Sequence, residues 1–124
     1  MNATAQHHRP GSDPVDIETM RRTARLVMLL NESGDLPEAP ALDTMALALR
    51  GMLEVLAPEV ETAAERLPKD DVPRACALAC VGESRMRLRL GRGEHGAVRQ
   101  SVVVKLARSV NALCDHMVSL ERAR

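Results

Sequence analysis

Val103, Leu106, Val110, Leu113, Met117 and Leu120 recur at steps of three and four. That spacing keeps all of them on one side of a rod that turns once every 3.6 residues. Ala107, Cys114 and Val118 widen the seam, so the segment must bury a broad stripe against neighbouring rods. Leu42, Met45, Leu49, Met52 and Leu56 keep the same alternation, flanked by Ala46 and Leu53. The chain contains no Phe, Tyr or Trp, so Leu, Val, Ala and Met must fill the core alone. Without bulky anchors a single helix pair encloses little, and several helices must converge. The predicted fold is all-α, an up-and-down bundle of four main helices.

The punctuation between stripes sets the expected boundaries. Residues 1–12 are polar, with Pro10 and Gly11, and read as a disordered tail; His7 and His8 read as part of it. Residues 13–124 read as a single helical-bundle domain. Asp13-Pro14 offers an N-cap followed by proline at the first helical position. Ile17, Met20, Ala24, Val27 and Met28 then form the first stripe, and Asn31 to Gly34 supply the stop. Leu26, Leu29 and Leu30 lie off that stripe, which predicts either deeper burial or an interface at this end. Pro58 interrupts the second stripe. Lacking a donor and clashing with the preceding turn, it is expected to break the helix, which resumes through Val60, Ala63, Ala64 and Leu67 until Pro68.

Asp71-Val72-Pro73 repeats the acidic-cap-then-proline pattern and starts the third helix. Its first half, ACALACVG (Ala75–Gly82), is apolar nearly all round, the mark of a helix with neighbours on every side. Residues Arg85 to Leu90 alternate polar and apolar strictly, as a strand would, and could pair with Val98 to Val104 in a hairpin. A lone hairpin is marginal in water, and a helix places Met86 and Leu90 on the side of Ala79, so the helix is the preferred reading.

Several function classes lose support at this level. Formal net charge is zero, so no global field steers polyanions, and the missing aromatics remove the usual platform for stacking bases. Nucleic-acid binding is disfavoured. The longest apolar run, Ala75 to Gly82, is far shorter than a bilayer span requires, and MNATAQHHRPGSD lacks the apolar core of a secretory signal. Three cysteines, an odd number, fit a reducing compartment. A cytoplasmic protein without membrane contact is expected.

GRGEHG, Gly91 to Gly96, spells the dinucleotide fingerprint, but that motif works where a strand delivers the glycines to a helix inside a βαβ unit. Here a helix precedes it, so it reads as a flexible connector that would tolerate Gly93→Ala. Cys76 and Cys80 share one side of the third helix, and an antiparallel partner helix would bring Cys114 to the level of Cys76. These three are the weak metal candidates, since soft thiolates suit soft metals but zinc wants a fourth ligand. His116 points about 200° away from Cys114. Cys114-Asp115-His116 names the members of a catalytic triad, yet consecutive helical residues point in different directions. Glu83 falls in the apolar arc and needs a cation, which Arg87 one turn on supplies as a semi-buried ion pair. Arg85, Arg89 and Arg92, with Leu88 and Val104, read as an interaction surface. No catalytic set and no cofactor site emerges.

Three stretches carry a resemblance: ALRGMLEVLAPEVETAAERLP, KDDVPRACALACVGESRMRLRL and VKLARSVNALCDHMVSLE. On them the chain resembles, over residues 13–122, a family of small actinobacterial proteins that form a domain of unknown function and are loosely labelled natural-product biosynthesis proteins. The resemblance implies a bacterial cytoplasmic setting and transfers no catalytic residue. The leading expectation is a non-catalytic interaction or regulatory module, accessory to secondary metabolism, with a protein partner or a second copy. The alternative is a small-molecule binder with an apolar slot between helices.

Overall fold

The computed structural model describes residues 15–93 and 95–122. Four helices follow in order: α1 (Ile17–Glu32), α2 (Ala41–Glu65), α3 (Val72–Leu88) and α4 (Gly96–Arg122). No strand occurs among the described residues; α3 runs straight through the alternating segment to Leu88. Helix α4 is the hub, packing on α1, α2 and α3, while α2 and α3 also pack on each other. Its heptad seam explains this position, because Val103, Leu106, Val110, Leu113 and Leu120 are all buried and Ala107 and Cys114 join them. Cross-helix contacts give the directions. Arg21 near the start of α1 meets Asp115 near the end of α4, and Arg50 in the first half of α2 holds carbonyls at the end of α3. The course is up and down, and α2 and α4 begin at the same end.

The caps correct the expected start of the first helix. Asp13-Pro14 lies outside the described residues, as does the expected tail over 1–12. The cap observed is Asp16, whose Oδ1 accepts from the Thr19 amide at 3.0 Å and whose Oδ2 accepts from Thr19 Oγ1 at 2.7 Å. Those two bonds hold its carboxyl below the usual carboxylate value. Asp71 caps α3 as expected, accepting from the Arg74 amide at 3.0 Å.

Pro58 does not break α2, which continues unbroken from Ala41 to Glu65. An internal proline costs about 3 kcal/mol. Leu56, Ala57, Val60 and Ala64 around it are all buried, and each fully buried large apolar side chain contributes roughly 1.5–3 kcal/mol. Keeping both halves of the stripe on one core outweighs the lost hydrogen bond.

Helix α3 departs further from expectation. Ala77, Val81 and Ser84 face the bundle, but Val72 is 70% exposed and Met86 67%, and Ala75, Cys76, Ala79 and Gly82 are exposed between them. Its first half is apolar nearly all round, yet α2 and α4 cover only one side of it. On α1, Leu26 and Leu29 are exposed and Leu30 is half-buried, so the off-stripe leucines are surface rather than core. Among the described residues no helix is long and apolar enough to cross a membrane.

Candidate functional site

The connector between α3 and α4 is built, not slack. Gly93 has φ +94°, and a Cβ there would stand 2.7 Å from Val98 Cγ1 and 3.1 Å from the Arg99 amide nitrogen. Only glycine fits this close approach without strain. Arg99 Nε donates to Gly93 O at 3.1 Å, tying the loop to the first turn of α4. Arg50 closes it from the other side, donating from Nη1 to Leu88 O at 3.0 Å and from Nη2 to Leu90 O at 2.8 Å. Leu88 ends α3 and Leu90 lies just beyond it, and a cation beside these carbonyls suits the negative end of the helix dipole. Arg92 leaves the loop to grip Asp43 of α2 bidentately, at 3.0 and 2.7 Å. The expectation that Gly93 is dispensable is therefore corrected. The nucleotide reading lacks its strand, as α3 precedes the loop.

Together these groups edge a groove of about 330 Å³ between the first turns of α2 and α4. Ala46, Leu47, Val102 and Val103 form its apolar walls, and Asp43, Arg50, Arg92 and Arg99 its polar rim. A second, more open groove of about 610 Å³ runs along the outward side of α3, past Ala79, Gly82, Met86 and Leu90 to Lys105 of α4.

The sequence model of one family matches residues 18–122. The chain belongs to the DUF6415 family. It is described as a family of unknown function. No curated protein and no solved structure matches the chain.

In this DUF6415 chain the side chains singled out from the sequence do not share one surface. Arg85 is engaged by α2, donating to both carboxylate oxygens of Glu61 at 3.0 Å; that pairing lowers the Glu61 pKa and raises that of Arg85. Arg92 is engaged by Asp43. Arg89 is exposed at the end of α3, Leu88 is partly buried against the core, and Val104 is buried at 5% exposure. Val104 thus belongs to the packing of α4 rather than to a contact surface. Glu83 does meet Arg87, at 3.9 Å, but its side chain is 63% exposed. Arg87 is the more buried partner and also donates to Lys105 O at 3.1 Å, stitching α3 to α4.

The three thiols of the DUF6415 chain are unbridged and sit in different environments: Cys76 exposed, Cys80 intermediate, Cys114 buried. Cys114 turns toward α1, with Sγ 3.9 Å from Ile17 O. Burial pushes the Cys114 thiol up to about 11, and burial followed by the nearby Glu83 charge raises that of Cys80. Among the described residues no group of three or more His, Cys, Asp or Glu is placed to hold a metal ion. Asp115 pairs with Arg21 at 2.8 Å, away from any triad with the buried Cys114.

No sequence pattern marks Arg50 or Asp43 as site residues, and Val72 and Met86 read only as parts of the third helix. Arg50 and Asp43 act across 38 to 49 positions of chain, a separation no local pattern reveals. The signal for this face is Ala75–Gly82, apolar nearly all round in a bundle with only three other helices to cover it.

Proposed function

We propose that this chain is a non-catalytic interaction module that pairs with a second copy of itself through the outward face of α3. The observation that carries the reading is the exposed stripe Val72, Ala75, Cys76, Ala79, Gly82 and Met86. Val72 and Met86, and Cys76 and Gly82, stand symmetrically about Ala79. An antiparallel copy centred there sets Met86 against Val72 at both ends, Gly82 against Cys76 and Ala79 against Ala79, so the two backbones approach closely at the centre, while Ala75 faces the exposed Glu83 of the other copy. The charges agree with that direction. Asp70 and Asp71 stand at the start of α3, beside Lys69 and Arg74, and Arg87 and Arg89 at its end, so the two aspartates of each copy lie near the level of the other's Arg87 and Arg89. Antiparallel helix dipoles add to the attraction.

A single helix pair falls at or below the roughly 1,200 Å² of a standard interface, so the pairing is weak and concentration-dependent. A cytoplasmic setting is part of the proposal and is supported by the three unbridged cysteines. A role accessory to secondary metabolism in an actinobacterium rests on the family resemblance alone.

Sedimentation equilibrium tests it. The native chain should pass from monomer to dimer as concentration rises. Ala79→Glu sets two carboxylates at the centre of the pair and should hold the chain monomeric with unchanged helical circular dichroism, because Ala79 is exposed. A native chain that stays monomeric to about 1 mM, where binding free energy falls to ~4 kcal/mol, overturns the proposal, as does an Ala79→Glu variant that still dimerises.

A further inference from the structure

The groove where α2 and α4 begin carries an inference that does not rest on the proposed pairing through α3. We propose that the space between the first turns of α2 and α4 binds a small molecule with a carboxylate head and an apolar body. Charge and shape both select that class. Arg92 and Asp43 neutralise each other across the rim. Arg50 and Arg99 donate only to backbone carbonyls, so two guanidinium charges at the groove meet no carboxylate among the described residues. Arg99 uses Nε alone for Gly93 O, which leaves its two terminal nitrogens to donate in parallel, the geometry that grips a carboxylate. The positive end of α4 begins three residues earlier, at Gly96, and adds to the same field.

Below the rim the walls change character. Ala46, Leu47, Val102 and Val103 offer only carbon, and Leu47 is 70% exposed on an otherwise well-packed α2. A bare inorganic anion would leave that surface wet, and a neutral hydrocarbon would leave the guanidinium charges unanswered. A volume of about 330 Å³ lies at the lower limit of the roughly 300–1,000 Å³ of small-molecule pockets. The ligand is therefore a short-chain or single-ring acid. A nucleotide would want an aromatic face for its base, and the chain has none.

Octanoate is the probe, with 1-octanol to test the tail alone and acetate to test the head alone. Methyl resonances of Leu47, Val102 and Val103 and the Nε–H signal of Arg99 report occupancy by NMR. Octanoate should shift all four saturably and bind at least tenfold more tightly than either control. Leu47→Glu places a repelling charge at an exposed position that costs the fold nothing, and should weaken octanoate at least tenfold while leaving helical circular dichroism unchanged. Arg92→Gln frees Asp43 to compete for the groove's cations and should weaken it too. Equal affinity for octanoate and 1-octanol would overturn the proposal. So would the absence of saturable shifts, or octanoate binding indifferent to Leu47→Glu.

Discussion

Replacing Gly93 by alanine tests whether the α3–α4 connector is a fixed part of the bundle. Two costs add. The φ of +94° lies in the half of conformational space where a Cβ meets the following carbonyl, a cost of about 1–2 kcal/mol for a side-chain-bearing residue. The new Cβ would also stand 2.7 Å from Val98 Cγ1 and 3.1 Å from the Arg99 nitrogen. Val98 is 39% exposed and can swing aside, for about 0.5–1.5 kcal/mol of rotamer strain. The Arg99 amide belongs to α4 and cannot. A loss of about 2–3 kcal/mol is expected, lowering the melting temperature by ~10 °C at about 4 °C per kcal/mol for a domain of this size. The opposite result is expected at Gly51. It lies inside α2 with nothing within 4 Å of an added Cβ, so Gly51→Ala should stabilise by about 0.5–1 kcal/mol through helix propensity. Thermal melts followed by circular dichroism at the helix band measure both, since the chain has no aromatic residue to fluoresce. A Gly93→Ala variant melting within a degree or so of the native chain, or a destabilised Gly51→Ala variant, would refute this account of the backbone.

Leu113 is fully buried at the centre of the α4 seam, so Leu113→Ala should cost ~2–5 kcal/mol in urea unfolding; a surface-like loss below ~0.5 kcal/mol would contradict its place in the core. The thiols should separate by reactivity towards a soluble disulfide reagent at pH 8, with Cys76 reacting fast and Cys114 only on unfolding, because the thiolate is the nucleophile and Cys114 is both covered and held protonated. The same shift bears on stability. The Cys114 pKa is raised in the folded state from 9.0 to about 11, so the unfolded chain loses its proton first, and stability should fall as pH rises from about 9 to about 11. The slope from this group is about 1.4 kcal/mol per pH unit. Burial raises the Cys80 thiol as well and adds to the same decline, so Cys114→Ala should flatten it in part, and an unchanged slope would refute the assignment.

How much of this could be read from the chain depends on the range of the physics involved. Helix-period stripes are local, so the α4 seam and the Leu42–Leu56 stripe located the core before any coordinates did, and the Asp71 cap marked the start of α3. Pro58 misleads because the local rule is right about its cost and silent about what offsets it: Leu56 and Val60 settle the balance only once α3 and α4 pack on α2. GRGEHG misled in the other direction. Glycine in a connector looks like slack, but Gly93 is fixed by Val98 and Arg99 against it, and the loop's other anchors, Arg50 and the Arg92–Asp43 pair, come from α2, far away in the chain. The most instructive case is ACALACVG. Apolar residues on every side of a helix say how many faces want covering, not whether this one chain covers them. The bundle meets the demand of Ala77 and Val81 and leaves that of Val72, Ala79 and Met86 unmet. A surplus of apolar face over the neighbours that four helices can provide is itself a sequence-level quantity, and in this chain it lies on α3 rather than on the arginines beside it.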